Sequence, residues 1–167
     1  MSPRAAWRLE TLGFPEVYWY AGGKADWMAS GLPVEGTEAN VLRIGDHAKR
    51  DVPTCRLDER IADVGERVRR ANWNTCFVVT EEGVVLGRLY EKELKMTDER
   101  AAADVMHSGP STFRPDVSVH EMLEYMREND LTTAPVTTSD GRLIGLALLE
   151  DLEAAHGGAV QRRTSSR

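Results

Sequence analysis

Residues 54–94 read TCRLDERIADVGERVRRANWNTCFVVTEEGVVLGRLYEKEL, and residues 112–152 read TFRPDVSVHEMLEYMRENDLTTAPVTTSDGRLIGLALLEDL. A shift of 58 positions lays one on the other without a gap, with Thr54/Thr112, Arg56/Arg114, Asp58/Asp116, Thr75/Thr133, Val78/Val136, Gly83/Gly141, Gly87/Gly145 and Leu94/Leu152 identical. Segments matched in this way fold as the same unit. Each copy opens on a short extended piece. Ile61, Val64 and Val68 then recur at helical spacing in the first copy, and Val119, Met122, Leu123 and Met126 in the second. Ser118 with Glu121 three residues on is a capping box, which sets the start of that helix. Strands follow at 76–80 and 134–138, then turns at 81–83 and 139–141 whose glycines supply the positive φ of a hairpin. Second strands run over 84–89 and 143–148, and closing helices begin near 90–94 and 151–156. The unit is β-α-β-β-α. Neither copy can cover its own sheet, so the two are expected to pack with pseudo-two-fold symmetry in an α/β (α+β) fold.

The rest of the composition excludes several classes. A chain of 167 residues with 41% hydrophobic and 29% charged residues is globular. No apolar run approaches the roughly 20 residues of a membrane span, and no secretory h-region opens the chain. The cysteines, Cys55 and Cys76, form no disulfide framework, and a reducing, cytoplasmic setting is expected. Residues 51–156 carry twelve Lys/Arg against twenty-one Asp/Glu, a net of −9, which argues against a nucleic-acid partner. The histidines, His47, His107, His120 and His156, lack metal-ligand spacing, so neither a metal nor a required cofactor is expected.

Asp104-Val-Met, Thr112-Phe-Arg-Pro-Asp116, Ala134-Pro-Val136, Asp140-Gly-Arg-Leu-Ile-Gly145 and Asp151-Leu152 together resemble a tandem pair of cystathionine-β-synthase-type (CBS) domains, a Bateman module. The resemblance implies two clefts between the repeats, an adenosyl ligand (AMP, ADP, ATP or S-adenosylmethionine) and a homodimer. It assigns ribose binding to the Asp of a G-h-h-T/S-x-x-D motif, which is Asp151 here and Glu93 in the first copy. Leu148 and Tyr90 stand where the motif has a phosphate-binding hydroxyl residue. Thr54, Thr112 and Thr133 are the further cleft residues expected, with backbone contacts at Ala134, Pro135 and Val136 reading an adenine edge. Polyphosphate binding would need Arg56, Arg114 or Arg142 to point into a cleft. Asp151 is equally suited to cap its helix. The expected division is a first repeat over 51–98 and a second over 99–156, with a linker at 37–50 and a disordered tail at 157–167. An interaction module with empty clefts is the alternative to a ligand sensor.

Residues 1–36 hold Trp7, Phe14, Tyr18, Trp19, Tyr20 and Trp27, and their Gly22-Gly…Trp27…Gly31-Leu-Pro run resembles the C-terminal end of a rhodanese domain. A sulfurtransferase needs a low-pKa cysteine thiolate at the start of the helix expected to contain Arg4–Leu12, and no Cys precedes Cys55, so no such activity is expected. These residues read as a small α/β appendage whose tryptophans need cover, on the repeats or across a dimer. A dimer held in this way elutes as a monomer once residues 1–36 are deleted. An unchanged elution volume in gel filtration rejects that contact.

Overall fold

Strand pairing obeys the same 58-residue shift as the sequence. A computed structural model of the chain describes residues 3–29, 32–36 and 40–164. In the first repeat β1 (Thr54–Cys55) lies parallel to β2 (Cys76–Val79), which pairs antiparallel with β3 (Val85–Leu89). In the second, Phe113 bridges Val136 in parallel, and β5 (Thr133–Thr137) pairs antiparallel with β6 (Leu143–Leu148). The ladders even slip at equivalent places, Val78/Val79 and Val136/Thr137. The repeat helices are α4 (Ile61–Arg70) and α7 (Val119–Glu128). Their apolar faces, Ile61, Val64 and Val68 in one and Val119, Met122, Leu123 and Met126 in the other, are buried against their own sheets. Ser118 caps α7 as the sequence requires, its Oγ accepting from the Glu121 amide at 3.2 Å. The hairpin tips join the two halves. Val85 donates its amide to Gly141, and Leu143 donates to Gly83, each at 3.0 Å.

What closes each core comes from the other half. Helix α3 (Ile44–His47) precedes the first repeat, yet Ile44 is fully buried in the core of the second, beside Val119, Met122 and Leu152. Lys49 then extends the second sheet as a bridge to Leu146. Helix α6 (Ala102–Val105) precedes the second repeat, yet Ala102 is fully buried in the core of the first. β4 (His107–Ser108) extends the first sheet beside β3. Ile44 and Ala102 are 58 residues apart, as are Lys49 and His107, so the repeat starts at the helix before the first strand. Gly87 and Gly145 make the crossing possible. A Cβ on Gly145 would sit 2.5 Å from the Lys49 carbonyl oxygen, and one on Gly87 would strike Met106.

Three expectations change. Residues 44–50 are not a linker, because Ile44 and Ala48 are core residues of the second repeat. The tail is helical to Thr164, as the C-terminal part of α8 (Leu149–Thr164), and residues 165–167 lie outside the described residues. Gly157 and Gly158 do not stop it, since neither turns to positive φ and each costs a helix only about 1 kcal/mol. The front piece is helical, with α1 (Pro3–Thr11), α2 (Gly23–Ala29) and no strand among its described residues. Its aromatics are not covered by the repeats: Trp7 is 64%, Tyr18 81% and Trp19 51% exposed. Among its described residues the tip packs on itself, where the Tyr20 and Trp27 rings meet edge to face at 5.3 Å and Trp27 Nε1 donates to the Pro33 carbonyl. Among the described residues no helix is long and apolar enough to cross a membrane.

The exchange makes a measurable claim. Ile44→Ala, outside the 51–156 segment, lowers stability by about 2–5 kcal/mol, the cost of emptying a packed core site. A change within about 0.5 kcal/mol in denaturant unfolding, as at an ordinary surface position, rejects it.

Candidate functional site: two unequal clefts between the repeats

The closing helices α5 (Glu91–Leu94) and α8 each present one carboxylate to the segment that crosses from the other half. Lys49 Nζ lies 3.3 Å from Asp151 Oδ2, and His107 Nε2 lies 3.4 Å from Glu93 Oε1. Both pairs obey the 58-residue shift, so they are one interaction repeated. Their surroundings differ. The Lys49 and Asp151 side chains are 44% and 35% exposed, and Asp151 Oδ2 has the ion pair but no aligned hydrogen bond. Glu93 is buried and fully used: its Oε2 accepts from the Tyr90 amide at 3.1 Å, capping α5. Burial pushes the Glu93 carboxyl up, but the Tyr90 amide and His107 outweigh it and hold it below the usual carboxylate range.

On the Lys49 side the seam opens into a cleft of about 880 Å³. One wall is the 71–74 turn of the first repeat, including Asn72, Trp73 and Asn74, with Asn72 at φ 59°. The other is Thr132, Thr133, Leu146 and Leu148 of the second. Lys49 and Arg69 face three acids, Asp51, Glu150 and Glu153. Size, an aromatic plane and a few convergent polar groups are the marks of a small-molecule site.

On the His107 side the equivalents of Leu146, Leu148 and Lys49 are Arg88, Tyr90 and His107, and these pack on one another. The Arg88 guanidinium lies 4.7 Å from the Tyr90 ring centre, and the Tyr90 and His107 rings meet edge to face at 5.1 Å. Arg88 is buried and donates to Thr75 Oγ1 at 2.9 Å and Thr133 Oγ1 at 3.0 Å, two threonines that are themselves repeat equivalents. It therefore ties the halves together where a second ligand cleft would open. Burial lowers its pKa, with Tyr90 working the other way.

The expected site residues are thus scattered. Thr133 lines the large cleft, and Asp151 stands behind Lys49 at its edge. Thr54 faces a separate, smaller cleft, and the Thr112 hydroxyl accepts from Thr137 Oγ1 at 3.0 Å. Ala134, Pro135 and Val136 are buried, and β5 is bonded on both edges: to β6 on one side, and through the Phe113 amide to the Pro135 carbonyl on the other. Arg56 and Arg114 spend a nitrogen each on the Thr80 and Thr138 carbonyls of their own repeats, and Arg142 pairs with Asp140 at 2.9 Å. Lys49, Trp73 and Arg88 were not anticipated. Extending the 58-residue shift upstream of Thr54 would have placed Lys49 on His107 and matched each to its carboxylate.

The chain belongs to the CBS domain family, which matches residues 44–97 and 102–156. The first match starts at α3, as the packing does. It leaves residues 1–43 out, and the rhodanese-like reading of 1–36 finds no support in it. An uncharacterized protein of Methanopyrus kandleri is 26% identical over 119 residues, 66% of this chain and 61% of that protein. Among solved structures, the cytosolic domain of the Mg2+ channel MgtE in complex with ATP superposes with a TM-score of 0.62 at 25% identity, covering 71% of this chain and 51% of that one. A CBS domain pair in complex with 5-methylthioadenosine and S-adenosyl-L-methionine superposes at 0.59 and 20% identity, covering 71% and 98%. This chain therefore spans only part of the first two.

The buried Glu93 pair gives a pH signature. A carboxyl held below its usual value contributes stability above its unfolded pKa and loses it as pH falls through the folded one. Glu93→Gln lowers the melting temperature at pH 7, by an amount equivalent to about 1–3 kcal/mol for a hydrogen-bonded charge. That difference shrinks as the medium is acidified below about pH 4, near where free Glu titrates. A wild-type-to-mutant gap that stays constant from pH 7 to pH 3 contradicts the assignment.

Proposed function

We propose that this CBS pair is a non-catalytic regulatory module that takes one adenosyl ligand per chain in the 880 Å³ cleft. The observation that carries the reading is the inequality of the two clefts: one is open and lined by Trp73, whereas at the other the buried Arg88 packs on Tyr90 and Tyr90 on His107, with both rings partly exposed. Trp73 offers a plane for the base, and base–aromatic stacking contributes about 1–3 kcal/mol. Asp151 takes the ribose hydroxyls after Lys49 moves aside. An exposed ion pair of this kind contributes about 0–1 kcal/mol, so its exchange costs little. Thr133 and the Asn74 amide are the remaining polar contacts of the site. Two bases against three acids, with Leu148 in place of a phosphate-binding hydroxyl, disfavour a triphosphate. AMP or S-adenosylmethionine fits this wall better than ATP.

A second reading rests on the same Leu148 and on the carboxylates that are already paired: the clefts stay empty and the pair serves as an interaction module, a homodimer in either case. In neither reading does the front piece transfer sulfur. Cys76, far from a reactive thiolate, has its thiol pushed up by contact with Cys55 and by burial.

Calorimetry with AMP, ADP, ATP, NADH and S-adenosylmethionine decides between the two. The sensor reading expects saturable binding at one site per chain, weakened about tenfold or more by Asp151→Ala, as loss of a hydrogen-bonded charge implies. Two equal sites, or no heat with any of the five at millimolar levels, rejects it.

A further inference from the structure

The chain turns at Arg50–Asp51 and then runs through Val52 and Pro53 into β1, and neighbouring residues along it line different clefts. Lys49 and Asp51 line the large cleft, whereas Arg50, Val52, Thr54 and Arg56 line a second one of about 280 Å³. Its floor is apolar: Val52, Val79, Leu143 and Ile144. Its rim is Arg50, Thr54, Arg56 and Gly83, two cations and no carboxylate.

The donors are uncommitted. Arg50 has no hydrogen-bond or ion-pair partner among the described residues, although the segment that follows it, 51–156, carries a net charge of −9. The Thr54 hydroxyl is likewise unbonded. Arg56 spends Nη1 on the Val79 and Thr80 carbonyls, which fixes its stem, and leaves its other N–H groups to the cleft. Glu59 and Glu82 lie close enough to Arg56 to have their own carboxyls lowered in part by it, but nothing balances Arg50. The repeat equivalent of this place shows what an idle copy looks like. Ser108 replaces Arg50, Thr137 replaces Val79, and the Thr137 hydroxyl both binds Arg114 Nη1 at 3.0 Å and consumes Thr112. The first repeat has lost that internal satisfaction and gained a cation.

We propose that this small cleft is a second binding site, for a small phosphate monoester. The phosphate lies between the Arg50 and Arg56 guanidiniums with the Thr54 hydroxyl donating to it, and the organic part rests on Val52, Val79, Leu143 and Ile144. Arginine forks match phosphate oxygens in pairs, and such charge-assisted bonds are about twice as strong as neutral ones. The site is independent of the adenosyl reading, since it shares no side chain with the large cleft.

The test is an amide NMR titration of the full chain with phenyl phosphate and with inorganic phosphate at low salt. Saturable shifts are expected at Thr54, Val79 and Gly83, tighter for phenyl phosphate because it also covers the floor. Arg50→Gln, at an exposed and unpaired side chain that should leave folding intact, weakens phenyl phosphate about tenfold, as loss of charged hydrogen bonds implies. It leaves the response to AMP at Trp73 and Asn74 unchanged. No saturation at tens of millimolar, shifts spread over other surface arginines, or an Arg50→Gln chain that binds as the wild type overturns the proposal. Loss of AMP binding alone bears on the large cleft only.

Discussion

Each half of this molecule is sealed by a piece of chain that belongs, in sequence, to the other half. Burial of Ile44 under the second repeat and of Ala102 under the first is the constraint from which the rest follows. It places Lys49 and His107 at the edge of the opposite sheet, and so places their charges against Asp151 and Glu93. It also bears on the glycine that stands on each second strand. At Gly145 the Lys49 carbonyl lies where a Cβ would sit, so that glycine is required by backbone contact and not by dihedral angle, whereas at Gly87 the close neighbour is the flexible Met106 side chain, with the His107 carbonyl at 3.1 Å.

Near-symmetry of the backbone makes the differences between the halves meaningful. The ladders superpose residue for residue, down to the irregularity after Val78 and Val136. Yet a few side-chain changes turn one seam into a pocket and the other into a packed joint. Arg88 is the decisive one. A buried guanidinium is costly to desolvate, and here it is met by two threonine hydroxyls and two aromatic faces in place of a carboxylate. A group held that way acts as a clamp at the pseudo-axis, and it is a poor candidate for displacement by a ligand. The chain has kept one cleft for exchange with solvent and used the other to fasten its halves.

Much of the fold was legible because the repeated unit is built from local periodicities. The α4 and α7 faces, the hairpin glycines and the Ser118 cap are each readable within a dozen residues, and the second copy confirms the first. What was not legible depends on long-range contact. A four-residue helix such as α3 has no period to detect, so Ile44 looked like linker. Gly157-Gly158 resembles a stop, but a helix already running tolerates it. At the site, Asp151 and Glu93 stood out by motif, while Lys49, Trp73 and Arg88 carry no motif and become visible only when the opposite half is folded beside them. Ala134, Pro135 and Val136, read from the sequence as ligand contacts, have buried side chains, and the β5 backbone is bonded to β6 and to Phe113.

The exchange of α3 and α6 also bears on what one copy could be. A chain carrying a single repeat would own a sealing segment that fits another copy's core and would lack one for its own. Such a chain is incomplete alone and complete as two chains that trade segments. Joining the copies head to tail turns that trade from an encounter at the mercy of concentration into a folding step within one molecule, and it frees each copy to diverge. The open cleft and the clamped joint are the form that divergence has taken.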